Sequence, residues 1–385
     1  MSEHPDIMTA LAPFADRNLQ FPNKPKIVDD LTIFPMPDGL GAQVRGLDKT
    51  IIFRGKLVDT AIKWLLSSLN GTLTPEEIVT SRPAACSPAD IAEALLLLFR
   101  KGVICETASA EANAGVKADD EIMRRQILFW GRQVGATRSN KNGEQTLQKL
   151  RNQKIVLLGN GLFGAAAYDL LTRSGCEIEA VLDWNSDRFL SQSIVELKPK
   201  VLRSLDDSQS GAEAALNEWL PVADLLVTAL RNTPSSLLES VNRLCIRHDC
   251  KWLHGHDNSS TVEIGPSIDP YATGCYSCMR IRQTSTHDYA IEEAMYDAQL
   301  NQKQSGDEPL GESIASATLA ASILCEEAIR ILTIIQIPAY HNAVLTLTRD
   351  GAFELNRFKR LPKCPDCYRG KHASFVEKET TNRIR

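Results

Sequence analysis

Residues 154–183, KIVLLGNGLFGAAAYDLLTRSGCEIEAVLD, constrain this chain more than any other stretch. Residues 155–158 are four consecutive large apolar side chains, which reads as a parallel strand covered on both faces. Gly159, Gly161 and Gly164 follow with GxGxxG spacing and lead into a helix of small residues over 165–172. A second apolar run, 178–182, ends at Asp183, about 20 positions beyond the glycines. Strand, tight turn, helix, strand and acid in this order make a Rossmann-like unit. Glycines let backbone approach a phosphate, the helix N-terminus offers N–H donors to it, and a carboxylate can take ribose hydroxyls. On this reading Gly159, Gly161 and Gly164 face phosphates and Asp183 faces ribose.

The chain has 385 residues, long for one core, and divides on pattern into several parts. Residues 1–23 read as a loose arm, 24–106 as a small domain, 107–150 as linker and helical connector, 151–369 as the Rossmann-like domain and 370–385 as a charged, disordered tail. Net charge is −5, which argues against general polyanion binding. No run of about 18 apolar residues and no basic-then-apolar N-terminus is present, so the expectation is a cytoplasmic protein that does not enter a membrane. In a reducing compartment the ten cysteines are core thiols, metal ligands or nucleophiles rather than disulfides.

Within 24–106, strands are expected over 27–36, 40–45 and 50–53, broken by Pro37-Asp38-Gly39 and Gly46-Leu47-Asp48. Helices follow over 56–69, from a Thr74 cap with Pro75, Glu76 and Glu77, and from a Ser87 cap over 88–100. Three short strands and three helices predict a winged helix-turn-helix. Ten Lys/Arg against nine Asp/Glu over 24–105 leave no basic face for DNA, so no nucleic-acid partner is expected. The same fold can bind a peptide by strand addition. Ile51, Ile52, Phe53 and Arg54 would supply the strand edge, and Ile91, Glu93 and Leu95 the helix face.

Further along, a third buried strand is expected over 222–230, a helix over 234–248, a short strand over 252–254 and a loop over 255–259. The stretch between Asp183 and Val222 reads as irregular. A long small-residue helix spans 312–335, and 343–348 with 352–356 form a hairpin. Cys275-Tyr-Ser-Cys278 and Cys364-Pro-Asp-Cys367 are two CxxC knuckles separated by residues 279–363. Two knuckles close a tetrahedron around zinc, and four thiolates leave no position for water, so the metal would be structural.

The order of glycine loop, acidic strand end, GCYSCMRIR, SIASATLAASILCEEAIRILT and LNRFKRLPKCPDC resembles the ThiF-like fold of ubiquitin-activating and sulfur-carrier-activating enzymes. The front module resembles the leader-peptide recognition element of RiPP maturation proteins. Both together resemble microcin C-type adenylating enzymes, pantocin-type enzymes that cross-link two glutamates, and ThiF-like partners of YcaO cyclodehydratases. The resemblance implies ATP and magnesium as cofactors, a ribosomally made precursor peptide as partner, and a homodimer. It places Asn232 at the nucleotide and Arg188 with Lys198 (Lys200 beside it) at the triphosphate. Leu162 stands where the family has a further glycine, and Thr228 where it has the magnesium aspartate. The expected activity is ATP-dependent activation of a peptide carboxyl or amide oxygen, leading to dehydration, cross-linking or cyclisation. The competing expectation is an inactive scaffold that delivers leader peptide to a YcaO enzyme.

Overall fold

A computed structural model of the chain describes residues 20–37, 40–108, 120–184, 199–205, 208–258, 260–286, 289–300, 311–348 and 350–368. The chain forms two compact units, one within Met1–Lys149 and Thr333–Ile337, the other within Leu150–Leu332 and Pro338–Arg385.

In the first unit β1 (Pro25–Ile27) pairs antiparallel with β5 (Ile104–Glu106). A separate three-stranded antiparallel sheet runs β2 (Thr32–Met36), β3 (Gly41–Arg45) and β4 (Ile51–Phe53). The single strand expected over 27–36 is therefore two, divided where Asp30 adopts a positive φ of 61° and turns the chain. The helix expected over 56–69 is also divided, into a π-helical stretch (Val58–Ile62) and α1 (Lys63–Ser68). Next come α2 (Pro75–Thr80) and α3 (Pro88–Arg100). Both begin with capping boxes, Thr74 with Glu77 and Ser87 with Asp90, and with proline in the first turn. Val44, Ile62, Leu65, Ile78, Ile91, Leu95 and Leu98 make the core they share. Helices α4 (Glu121–Gly131) and α5 (Gly143–Arg151) complete the N-terminal elements.

The second unit holds an eight-stranded sheet. Its strands are β6 (Lys154–Gly159), β7 (Glu177–Asp183), β8 (Leu202–Ser204), β9 (Leu225–Arg231), β10 (Lys251–Asp257), β11 (Thr261–Ile268), β12 (Ala343–Thr348) and β13 (Phe353–Arg357). The spatial order is β13-β12-β11-β10-β9-β6-β7-β8. Strands β8, β7, β6, β9 and β10 are parallel, in the 3-2-1-4-5 order of a doubly wound fold, and β11–β13 extend it antiparallel. The helices are α6 (Gly161–Arg173), α7 (Gln209–Trp219), α8 (Ser235–Arg247), α9 (Tyr276–Thr286), α10 (Ala290–Leu300) and α11 (Ile314–Thr333).

Residues 155–158 and all seven of β9 are buried, as parallel strands covered on both faces require. The region read as irregular contains β8 and α7, whose Ala212, Ala215 and Leu216 are buried against the sheet. β8 is only three residues long and α7 turns mainly alanines inward, so neither gives a strong periodic signal. The expected 255–259 loop is a strand as far as Asp257. Gly255 is the reason: a Cβ there would lie 2.6 Å from the Thr228 carbonyl oxygen and 3.1 Å from Phe163, so only glycine lets β10 run under α6. Among the described residues no helix is long and apolar enough to cross a membrane.

Candidate functional site

The four knuckle cysteines converge. Cys275 immediately precedes α9 and Cys278 sits in its first turn, whereas Cys364 and Cys367 lie in the turns after β13. All four are buried and their Sγ atoms lie within 4.8 Å of one another. Cys275–Cys278 is 3.9 Å, and Cys275–Cys364 and Cys278–Cys367 are each 3.5 Å. Sulfurs about 2.3 Å from a tetrahedral zinc stand about 3.8 Å apart, so the quartet fits that ion. The neighbouring Cys278 and Cys367 sulfurs push the Cys275 thiol up, while the same cluster holds Cys367 well below the ordinary thiol range. A divalent cation is what lets four such sulfurs ionise together.

The surrounding hydrogen bonds brace this cluster. The Leu361 N–H donates to Cys278 Sγ at 3.3 Å. Asn242, fully buried on α8, donates to Asp366 Oδ2 at 3.0 Å and to Ser277 Oγ at 3.2 Å, and accepts the Tyr276 N–H at 3.1 Å. Ser277 also donates to Asp366. One amide thus ties both knuckles to the helix layer, a contribution with no local sequence signature. Asn242→Ala is expected to cost about 2–3 kcal/mol in urea unfolding and to weaken zinc affinity by about 10–100-fold in chelator competition.

The glycine turn lies at the topological switch between β6 and β9, where open α/β sheets bind ligands. Gly159 pairs in register with Asp183 on one side and Ala229 on the other. Asn160 clamps the two strand ends: its Oδ1 accepts the Arg231 N–H at 2.7 Å and its Nδ2 donates to the Arg231 carbonyl at 3.2 Å. Gly161 has φ +59°, and the Gly164 N–H closes the first turn of α6 on the Asn160 carbonyl. Asp183 is buried at its strand end, and Asn232 follows β9 with φ +46° beside Asp257, whose carbonyl accepts the Asn232 N–H. Gly159, Gly161, Gly164, Asp183 and Asn232 are therefore gathered at the C-terminal ends of β6, β7 and β9. Arg188 and Lys198 lie outside the described residues. Lys200 is bound to Glu177 at 2.8 Å and Glu179 at 3.2 Å, at the other end of β7 from Asp183.

Thr228 stands inside the sheet rather than at its rim. Its register partner is Leu158, one step short of the glycine turn. The fully buried hydroxyl accepts from Trp252 Nε1 at 3.1 Å and from the Gly255 N–H at 3.2 Å, and lies 3.4 Å from His254 Nδ1. A magnesium ligand cannot be expected from that position. His254 is itself buried, and desolvation, then His256, holds it neutral well below the usual imidazole range. At the rim the pattern-based reading missed Arg231, Asp257 and Glu312, which no short motif marks. Arg231 Nε lies 3.3 Å from Glu312 Oε1.

In the first unit, β4 pairs only with β3 among the described residues, leaving its outer edge open. The opposite edge, β2, contains Pro35, which lacks an N–H, so β4 is the better template for an added strand. Ile51 is half-buried, Ile52 is 46 % exposed and Arg54 is exposed, whereas Phe53 belongs to the core. The helix face needs correction. Ile91 and Leu95 are fully buried because their spacing is the stripe α3 turns to its own core; of the three expected contacts only Glu93 is exposed, and Leu96 and Leu97 are half-buried.

These observations define an α/β protein with a Rossmann-type sheet and a four-cysteine centre, preceded by a small sheet-and-helix unit. No family model and no curated protein matches the sequence. Solved structures do. E. coli MccB superposes with TM-score 0.65 at 16 % identity, over 90 % of this chain and 97 % of that one. The microcin C7 biosynthetic enzyme MccB in complex with N-formylated MccA gives 0.64 at 18 %, over 89 % and 99 %. A heterocyclase in complex with substrate and cofactor gives 0.55 at 16 %, over 89 % of this chain and 39 % of the larger one. The chain thus resembles MccB in fold across both units.

Proposed function

We propose that the chain is an ATP-using maturation enzyme for a ribosomally made precursor peptide. The observation that carries this reading is the coverage: one likeness to MccB, a protein solved with MccA and with ATP, takes in 89 % or more of this chain and 99 % of that one. In this reading residues 24–106 form a winged helix-turn-helix that holds the leader by strand addition at β4, with Ile51, Ile52 and Arg54 contacting it. Residues 151–369 activate a carboxyl or amide oxygen of the core peptide. ATP converts that oxygen into a leaving group; water loss from a peptide in water is otherwise uphill.

The chain's own residues have separable tasks in this scheme. The glycine turn and α6 N-terminus receive phosphate oxygens, Asp183 receives ribose, and Asn232 with Asp257 lines the strand ends where magnesium would accompany the triphosphate. Arg188 and Lys198 are the proposed cations for developing charge. Zinc held by Cys275, Cys278, Cys364 and Cys367 is structural. A homodimer and a YcaO partner are further elements of the proposal.

A second reading, a leader-binding scaffold without turnover, is favoured by the glycine turn itself, where the Glu312 carboxylate already accepts the Leu162 N–H at 2.7 Å. The test incubates purified protein with Mg-ATP and short peptides encoded beside its gene, and weighs the peptide. Loss of water or addition of AMP supports the enzyme; tight peptide binding without any mass change supports the scaffold. Ile52→Glu provides an independent check. At an exposed edge position it should shift stability by less than about 1 kcal/mol while weakening peptide binding by about tenfold in fluorescence anisotropy. Unchanged binding would remove β4 from the recognition surface.

A further inference from the structure

The space before the glycine turn is held by the chain itself. Glu312 Oε2 accepts the N–H of Leu162, the second residue of α6, at 2.7 Å. Arg231 Nε lies 3.3 Å from Glu312 Oε1, and Arg231 Nη2 donates to the Gly311 carbonyl at 2.8 Å. Both side chains are nearly removed from solvent, 9 % exposed for Arg231 and 12 % for Glu312. A Cβ placed on Gly161 would come 2.4 Å from Glu312 Oε1. The missing side chain at Gly161, which the motif reserves for phosphate, therefore already accommodates a carboxylate.

A carboxylate and a phosphate ask for the same partners: N–H donors at the positive end of a helix and a guanidinium fork. Two anions crowded into one nearly dry site repel strongly, so only one can be held. We infer that Glu312 is a resident stand-in for phosphate. A nucleotide phosphate enters the glycine turn by displacing it, and Arg231 passes from the carboxylate to the phosphate. Glu312 precedes α11 by two residues, so the exchange needs side-chain rotation and leaves the helix intact. Displacement of this kind makes nucleotide affinity low until something draws Glu312 aside, which provides a way to restrain ATP use. The role of ATP rests on the proposed function; the carboxylate's occupation of the turn does not.

The experiment compares full-length wild type, Glu312→Gln and Glu312→Ala by calorimetry and thermal shift, with inorganic pyrophosphate and with Mg-ATP as probes. Glu312→Ala should bind pyrophosphate at least about tenfold more tightly than wild type, and pyrophosphate should raise its melting temperature more. Glu312→Gln, which keeps the shape and loses the charge, should fall between. Adding Arg231→Gln to the alanine variant should abolish the gain. Should Glu312→Ala not fold, Glu312→Gln carries the comparison. Equal pyrophosphate affinity in the variants and wild type, including no binding by any, overturns the inference. A gain for pyrophosphate without one for ATP keeps the displaced carboxylate and removes the ATP-using reading.

Discussion

Cys364→Ser is expected to empty the metal centre and unfold much of the second unit's C-terminal part. Serine keeps the size of the side chain but offers no thiolate, so the tetrahedron loses one of four donors, and with it the tie between the turns after β13 and α9. Structural zinc supplies about 10–16 kcal/mol of apparent binding energy in small zinc domains. Even a fraction of that rivals the whole stability of a typical domain, about 5–15 kcal/mol. The buried network of Asn242, Ser277 and Asp366 is then left without the cluster it braces. Metal analysis should give one zinc per chain for wild type and none for the variant, and a chelator should lower the wild-type melting temperature towards the variant's. Because thiols release protons on binding zinc, wild type should also lose metal as pH falls. A variant that retains stoichiometric zinc would refute the four-cysteine assignment.

Thr228→Val is expected to be the most damaging isosteric change in the sheet. The replacement keeps shape and burial, so packing is nearly constant and the effect is polar. The β9–β10 ladder is interrupted in one place. Register partners run from Lys251 to Leu253 and resume at His256, and the Thr228 hydroxyl takes the Gly255 N–H in the gap. It also takes the Trp252 indole N–H. Removing it leaves two buried donors without that acceptor, each worth about 1–3 kcal/mol, so the urea midpoint should fall by the equivalent of about 2–6 kcal/mol with an unchanged slope. Wild-type stability in Thr228→Val would mean that the hydroxyl is incidental. Loss of stability without any special loss of nucleotide binding would confirm that this position serves the sheet.

Periodicity and short motifs carry far in this chain. The buried run before the glycines, the acid at Asp183, the capping boxes at Thr74 and Ser87 and both CxxC knuckles are local patterns, and local patterns survive in one dimension. What they describe is element type and donor chemistry. Weakly patterned elements such as β8 and α7 escape them, and Ile91 and Leu95 show the opposite error, because an apolar stripe looks the same whether it faces a partner or its own core.

By itself the order of residues determined that a glycine turn between a buried strand and a helix, and two CxxC pairs, would occur in one chain, since each depends on residues a few positions apart. Only the tertiary structure decided who their neighbours are. Glu312 reaches Leu162 across 150 residues, and Asn242 reaches Asp366 across 124. Such pairings follow from the winding of the sheet and the layers packed on it, and no spacing rule encodes them.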